Sequence, residues 1–384
     1  MLFLIVTPAT AQNLFADHIN PEEPRRKTRY IRKSTVFSSV LLALAISSSP
    51  TNALKRQIFQ KRYDPNLEEV RILSIDGGGT KGVIPLTILN QLEIQTGKPI
   101  CENFDLLGGT SVGCILSTGL SAPKDPTQKI WQPYSSQELL DIFQETAPKI
   151  FSKMRVGSSL YDSSHLEELV DKFLGNTTFS QSLIPRVGLA LDETTLTTRV
   201  FSSEDQHDYL ARDVVLASSA VPILFPKVQL SAVDKAHPIY TLLDGASLSI
   251  SNDPAADIIA KTREIYPKAR RFSIVSLGNG ITNKRNDLNK FLGLTNIFLT
   301  PFSLVLNDYE SQNYEFLSKI LGDDYVRINP TIAKENNNAM NGHHENIRAL
   351  MQQTNDYLDS PEGSYRFNKL LELIKDNNSY LIKN

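Results

Sequence analysis

The sequence is poor in the residues that form disulfide bonds and bind zinc. Two cysteines and one tryptophan occur among its 384 residues. Two cysteines cannot form a disulfide framework, and no Cys-x-x-Cys pair or His/Cys cluster indicates a zinc site. Neither sign of charge dominates, because 40 Lys and Arg stand against 42 Asp and Glu. A net charge of −2 supplies no global positive field for phosphates, which argues against a nucleic-acid partner.

The N-terminal region also lacks an apolar run long enough to cross a membrane. The run Val36–Ile46 is well short of the roughly 20 residues that a transmembrane helix needs. It follows a basic run, Arg25–Lys33, and precedes small residues at Thr51 and Ala53. This order predicts a secretory signal peptide cleaved after Ala53. We therefore expect a secreted or periplasmic protein; a cytoplasmic or membrane-associated protein that keeps the segment is the alternative, and the mass of the mature N-terminus distinguishes them.

The rest of the sequence has the composition of a globular protein, with 41% hydrophobic and 21% charged residues. An apolar run, Val70–Ile75, stops at three glycines and predicts a buried strand, and helical spacing follows over 83–95. A second short run, Phe104–Leu107, precedes a helix candidate at Ser111–Leu120. Strand, helix, strand and helix indicate parallel βαβ units and an α/β class.

Other elements are predicted from capping signals and apolar runs. Ser135-x-x-Glu138 and Ser164-x-x-Glu167 have the capping-box pattern, which predicts that a helix begins at each. Further strands are predicted at Val187–Leu191, Ile239–Leu243, Phe272–Leu277 and Tyr325–Ile328, and further helices at 303–320, 345–358 and 365–375.

The sharpest local signal is a G-x-S-x-G motif, Gly109-Thr110-Ser111-Val112-Gly113. A serine between a strand and a helix must adopt a strained turn, and the flanking glycines allow close backbone approach. Its hydroxyl then points into the open at the positive end of the helix. The motif alone is weak, but here it follows an apolar strand and precedes a helix. We interpret Ser111 as a nucleophile rather than as part of a glycine-rich packing turn.

A second motif, Asp76-Gly77-Gly78-Gly79-Thr80-Lys81-Gly82, lies at a strand end. Successive glycines turn backbone N–H groups toward one point, where negative charge can bind. The motif can serve as an oxyanion hole or as the phosphate loop of an actin-like sugar kinase. A kinase needs a second phosphate loop and an adenosine loop, and the sequence shows neither. The oxyanion interpretation is therefore favoured.

A nucleophilic serine needs a base, and the six histidines occupy the leader, an exposed first turn of a helix or polar loops. Asp244, in Leu242-Leu243-Asp244-Gly245-Ala246, instead follows an apolar strand. It can be a helix cap, a turn former or a base at the edge of the sheet. Aspartate is a weak base in water, so the last role requires a dry environment.

Together these three motifs resemble the patatin-like phospholipase family. Four further segments occur in the family's order over roughly residues 68–282: Tyr161-Asp162, Ala217–Pro222 with Phe225-Pro226, Asn252-Asp253-Pro254 and Ser276–Gly280. The resemblance implies a three-layer α/β/α sandwich with a mostly parallel central sheet and a helix-rich C-terminal part. It divides the chain into a leader (1–53), a lead-in (54–67), a catalytic core (68–282) and a mainly helical part packed on the core (283–384).

The resemblance also implies hydrolysis of ester bonds in phospholipids or related glycerolipids by a Ser–Asp dyad, through an acyl-enzyme that releases free fatty acid. Ser111 would be the nucleophile, Asp244 the base, and the amides of Gly77, Gly78 and Gly79 the oxyanion hole. The supporting motif residues are Asp76, Lys81, Gly82, Gly109, Gly113, Gly245 and Ala246. Membrane or micellar lipid is the implied partner, and no metal or organic cofactor is expected.

Two positions depart from the family pattern. Lys81 stands where arginine is common, and Asp253 stands where the second asparagine of Asn-Asn-Pro is usual. The family places Leu224 and Phe225 near the site, which makes them candidates for an acyl pocket. Two rival functions are an actin-like ATP-dependent sugar kinase that uses the Asp76–Thr80 loop and a catalytically dead homologue that binds lipid or a partner.

Overall fold

A computed structural model describes residues 61–152, 161–235, 238–245, 252–282 and 313–375. The chain divides into two units, Met1–Ala53 and Leu54–Asn384, and the described residues all belong to the second. The predicted leader with its cleavage site, and Ala246 of the third motif, lie outside the described residues.

The described strands form one sheet, in the order β5-β6-β3-β2-β1-β7-β8, with β4 also paired to β3. Strands β1, β2, β3, β7 and β8 pair in parallel, whereas β4 and β6 run antiparallel to β3, and β5 runs antiparallel to β6. The expected mostly parallel sheet is confirmed. The strands are β1 Glu69–Ile75, β2 Leu106–Thr110, β3 Arg186–Asp192, β4 Thr197–Ser202, β5 Val228–Leu230, β6 Tyr240–Asp244, β7 Arg271–Leu277 and β8 Tyr325–Ile328.

Helices cover both faces of the sheet. The helices are α1 Val83–Thr96, α2 Ile100–Asn103, α3 Val112–Ser121, α4 Ser136–Ile150, α5 Ser164–Leu174, α6 Ala211–Ser218, α7 Ala255–Ile265, α8 at 313–321, α9 His344–Asp359 and α10 Pro361–Leu373. No helix in these described ranges combines the length and the apolar character needed to cross a membrane.

Alternation along β1 shows how the layers are built. Leu73 and Ile75 belong to an apolar cluster that includes residues of α1, α3, α9 and α10. Val70 and Ile72 point to the other face and pack in a cluster with α7. Successive strand residues face opposite sides of a sheet, so a strand buried on both faces reads as one apolar run. The three-layer α/β/α sandwich is confirmed, and its C-terminal helices are part of the main core.

One of the two predicted capping boxes is wrong. At α4 the Glu138 N–H donates to Ser135 Oγ at 3.2 Å, and the Ser135 N–H donates to Glu138 Oε2 at 2.8 Å. At α5 the residue before the helix is Ser163, and its side chain makes no capping hydrogen bond. The N–H of Ser164 donates instead to Asp162 Oδ1 at 3.1 Å. An aspartate two residues earlier therefore takes the place of the expected serine cap.

Candidate active site

Ser111 lies between β2 and α3 in a backbone conformation that side chains rarely adopt. Its φ is 53° and its ψ is −127°. Positive φ at a residue other than glycine stores strain, and such strain clusters at functional sites. The Ser111 N–H donates to Ser218 Oγ at 2.9 Å, and Ser218 Oγ donates to the carbonyl of Leu189 at 2.5 Å. The strained turn is thus tied to the end of α6 and to β3.

The two flanking glycines are required by close packing. A Cβ at Gly109 would collide with the backbone of Gly113, and a Cβ at Gly113 would collide with the carbonyl of Ile75 in β1. Both positions therefore exclude any side chain. This close approach places the start of α3 directly over the ends of β1 and β2, as the G-x-S-x-G interpretation requires.

The pairing of β3 brings Asp244 to Ser111. Strand β4 pairs along one edge of β3, so β2 and β6 share the other edge. Thr110 lies opposite Leu189, and Asp244 lies opposite the next residue, Ala190. The end of β6 therefore meets the end of β2 head-on, and Ser111 follows Thr110 at this junction.

The residues around Asp244 are equally close-packed. A Cβ at Gly245 would lie 2.6 Å from Thr110 Oγ1, so only glycine is tolerated there. The Asp244 N–H donates to the carbonyl of Ala220 at 2.9 Å, and Asp244 is 1% exposed. Within the described part of the chain, no hydrogen bond joins the Ser111 hydroxyl to the Asp244 carboxylate.

The glycine loop, Asp76–Gly79, lies beside Ser111. A Cβ at Gly77 would sit 3.2 Å from the Ser111 Cβ. The Gly77 N–H, one of the three amides expected to bind the oxyanion, donates to the carbonyl of Asn252 at 3.0 Å. No acceptor among the described residues takes the N–H of Gly78 or Gly79. These two amides are available to an oxyanion.

The C-terminal segment 337–340 packs against the glycine loop. The Thr80 N–H donates to the carbonyl of Ala339 at 2.7 Å, and Lys81 Nζ donates to Asn337 Oδ1 at 3.1 Å. On the opposite side, a Cβ at Gly82 would lie 2.5 Å from Val112 Cγ2 of α3. Lys81 therefore contacts the C-terminal segment, and the loop lies between that segment and α3, the helix that follows Ser111.

Asp76 and Arg327 form an ion pair that the sequence interpretation missed. Arg327 Nη2 lies 2.6 Å from Asp76 Oδ2, and Nη1 lies 3.2 Å from Asp76 Oδ1. The strand Tyr325–Ile328 was predicted, but its arginine received no role. A long basic side chain inside an otherwise apolar strand was the available signal, because charged residues are almost never fully buried unless they are paired.

The described histidines lie elsewhere. His207 Nδ1 lies 3.1 Å from Asp234 Oδ2, and the side chain of His165 is 47% exposed on α5 beside Glu168. His343 and His344 are exposed at the start of α9. No histidine in the described ranges forms a hydrogen bond with Ser111, and the other two lie outside those ranges.

The two acyl-pocket candidates are buried in an apolar cluster rather than open to solvent. Leu224 and Phe225 pack with Tyr161, and Met340 of the C-terminal segment covers the same cluster. Ile223 beside them is 56% exposed and has a φ of 73°, which is unusual for a β-branched residue. The exposed apolar side chain of this segment is therefore Ile223.

Comparison with known proteins shows what this chain is similar to. Residues 73–259 match the family model described as Patatin-like phospholipase. The chain is 31% identical over 254 residues to Patatin group D-2 of Solanum tuberosum, covering 57% of this chain and 63% of the relative. It is 29% identical over 246 residues to Patatin-T5 of the same species, covering 56% and 62%.

Plants supply a further relative, and one solved structure shows a distant likeness. Patatin-like protein 2 of Arabidopsis thaliana is 29% identical over 248 residues, covering 55% of this chain and 60% of the relative. The alignments thus span about three fifths of each relative. VipD from Legionella pneumophila has a TM-score of 0.32 and 13% identity, over 83% of this chain and 73% of that one.

Proposed function

We propose that the chain is a lipid acyl hydrolase, because its residues 73–259 match the family model described as Patatin-like phospholipase. Its substrates are carboxylic esters of phospholipids or related glycerolipids, presented in membranes or micelles. The observation that supports the proposal best is the junction of β2 and β6, which sets Ser111 beside Asp244 and the glycine loop.

Each group at the junction has a role in acyl transfer. Asp244 takes the proton of the Ser111 hydroxyl as Ser111 Oγ bonds to the ester carbonyl carbon. The carbonyl oxygen gains negative charge and accepts hydrogen bonds from the amides of Gly78 and Gly79. The alcohol leaves with the proton, and the acyl group stays on Ser111. Water then attacks this acyl-enzyme with Asp244 again as base, which releases the fatty acid and restores the serine.

Burial supports this assignment of roles. Ser111 is 8% exposed and Asp244 is 1% exposed, so bulk water is largely excluded from both groups. Hydrogen-bond donors that are already oriented in a dry site stabilise developing charge without having to reorganise. The Gly77 amide is already bonded to Asn252, so it holds the loop in place and the next two amides serve the oxyanion.

Ser111→Ala tests the proposal. The wild-type protein should release fatty acid from phospholipid vesicles and react covalently with a fluorophosphonate. Ser111→Ala should remove the covalent labelling and lower kcat by at least about 10³-fold, because the nucleophile is lost. Asp244→Asn should lower the rates of both reactions. Hydrolysis that survives undiminished in Ser111→Ala would exclude the mechanism.

Ser117→Ala is the matched control. Ser117 is a buried serine of the same helix, and its hydroxyl donates to the carbonyl of Cys114. This variant should keep full labelling and hydrolysis.

The family match does not favour a sugar kinase, and the presence of both Ser111 and Asp244 weighs against a dead homologue. Fluorophosphonate labelling of the wild-type protein distinguishes an active hydrolase, which reacts, from a dead homologue, which does not.

A further inference from the structure

Three buried charged side chains meet behind the glycine loop. Arg327 of β8 is 5% exposed, Asp76 is 0% exposed and Asp253 is 1% exposed. Arg327 donates two hydrogen bonds to Asp76, at 2.6 and 3.2 Å, and its Nη1 lies 3.4 Å from Asp253 Oδ2. The planar guanidinium can face two carboxylates at once, which a lysine ammonium cannot do with the same geometry.

Two further hydrogen bonds hold this cluster in place. Arg327 Nη1 donates to Ser276 Oγ at 2.6 Å, and the N–H of Ala255 donates to Asp253 Oδ1 at 3.1 Å. Burial, and then the negative charge of Asp253, raises the pKa of Tyr325, so its phenol stays neutral. Buried charges persist only when they are paired and hydrogen-bonded, so Arg327 is what makes two carboxylates tolerable here.

The cluster is linked directly to the loop beside Ser111. Asp76 immediately precedes Gly77, and Asp253 immediately follows Asn252. The Gly77 N–H donates to the carbonyl of Asn252 at 3.0 Å, so the two charged residues flank this hydrogen bond. Arg327 therefore joins the segment after β1 to the segment before α7 at the point where they touch.

We propose that Arg327 is a positioning residue, which bridges Asp76 and Asp253 and thereby orients the amides of Gly78 and Gly79 toward the substrate carbonyl oxygen. The inference rests on the proposed function, because it concerns the same reaction. It also gives a role to Asp253, the residue that departs from the family's asparagine. That aspartate is the second carboxylate held by Arg327.

Arg327→Lys tests the inference, because it keeps the charge and removes the planar fork. Reactive Ser111 is titrated to completion with a fluorophosphonate, and kcat per titrated site and KM are measured on a soluble short-chain ester. The kcat per site should fall about 10²-fold, since a small misplacement of catalytic groups costs that much. KM should stay within about 3-fold, because oxyanion contacts strengthen only in the transition state.

Measuring kcat per titrated site separates positioning from folding, since a merely unstable variant has fewer reactive sites but an unchanged rate at each.

Arg271→Lys is the matched control. Arg271 pairs with Asp324 at 2.7 Å at the start of β7, the end of the strand opposite to the site, and its variant should keep wild-type kcat per site.

If Arg327→Lys does not fold, Asp253→Asn replaces it, because this variant keeps the pair between Arg327 and Asp76. Its kcat per titrated site should fall about 3- to 10-fold with KM unchanged, as expected for a partial misplacement. A wild-type kcat per site in the folded variant overturns the inference and leaves the proposed function standing. A wild-type protein that neither hydrolyses esters nor reacts with the fluorophosphonate overturns both.

Discussion

At the scale of single residues, Gly79 combines two constraints that can be separated by experiment. Its φ is +57°, and a Cβ there would collide with the carbonyl oxygen of Ala339. That same carbonyl accepts the N–H of Thr80 at 2.7 Å, so it cannot move away without loss of a hydrogen bond. Gly322 has nearly the same φ, +54°, but nothing lies within 4 Å of the position of its Cβ. The two glycines share the conformation and differ in their surroundings.

We therefore predict different outcomes for the two alanine variants. Gly322→Ala should lower the free energy of unfolding by about 1 kcal/mol, the cost of a left-handed alanine, and leave ester hydrolysis unchanged. Gly79→Ala should lower stability further and reduce kcat about 10²-fold or more, because it displaces a proposed oxyanion donor. Urea unfolding and steady-state kinetics measure both effects. A Gly79→Ala protein with wild-type kcat would show that this amide takes no part in the reaction.

At the scale of elements, the starts of α4 and α5 look alike in sequence and differ in structure. Ser135 and Glu138 form both hydrogen bonds of a capping box, whereas no side-chain cap is formed by the residue that precedes α5. Ser135→Ala should lower the free energy of unfolding by about 1 kcal/mol, as is typical when a serine cap is removed. Ser164→Ala should change it by less than about 0.5 kcal/mol, because its hydroxyl caps nothing. Thermal or urea unfolding of the two variants checks the difference, and equal losses would contradict it.

The elements that sequence could predict are those whose burial leaves a periodic pattern. Two predicted strands, Val70–Ile75 and Phe272–Leu277, are each one residue shorter than the observed strand. A third, Tyr325–Ile328, has the same bounds as the observed strand. The second strand was placed too early, because its final residues include Gly108 and Gly109, which read as a turn. The last helix begins at Pro361 rather than at 365, since the side chain of Ser360 caps it.

Two strands and three helices were missed for physical reasons that differ. Strand β4 is half-exposed and polar at its start, so it carries little apolar periodicity, and β5 has three residues. Helix α2 has four residues, while α6 and α7 have charged faces that obscured their apolar sides. These elements matter because Ser218 of α6 accepts a hydrogen bond from the backbone N–H of Ser111.

The candidate site was predictable where local sequence dictates the backbone, as in the two glycine-flanked turns. The contact between Asp244 and the end of β2 depends on the antiparallel pairing of β6 with β3, which no local pattern reveals. Arg327 is further still in sequence from Asp76, at a separation of 251 residues. Long-range pairings of this kind come from topology rather than from motifs.

At the scale of the whole molecule, the proposed catalytic motifs pack against residues that lie far beyond them in the sequence. Ile347, Leu350 and Leu370 are buried in the same cluster as Leu73 and Ile75 of the first strand. Strand β8 completes the sheet beside β7 and carries the cation that pairs with Asp76. Residues Leu54–Asn384 form one unit, although the family match ends at 259.

We therefore predict that a chain ending at residue 282 does not fold, even though it contains all three of the proposed catalytic motifs. Its truncation exposes the apolar face of β1 and leaves Asp76 and Asp253 buried without Arg327, and a buried charge that loses its partner costs about 3–5 kcal/mol. That loss is comparable to the whole stability of many domains. A chain of residues 54–384 should unfold in a single transition, with circular dichroism and fluorophosphonate reactivity lost together. A soluble, labelled 54–282 fragment would show instead that the C-terminal helices are dispensable for folding.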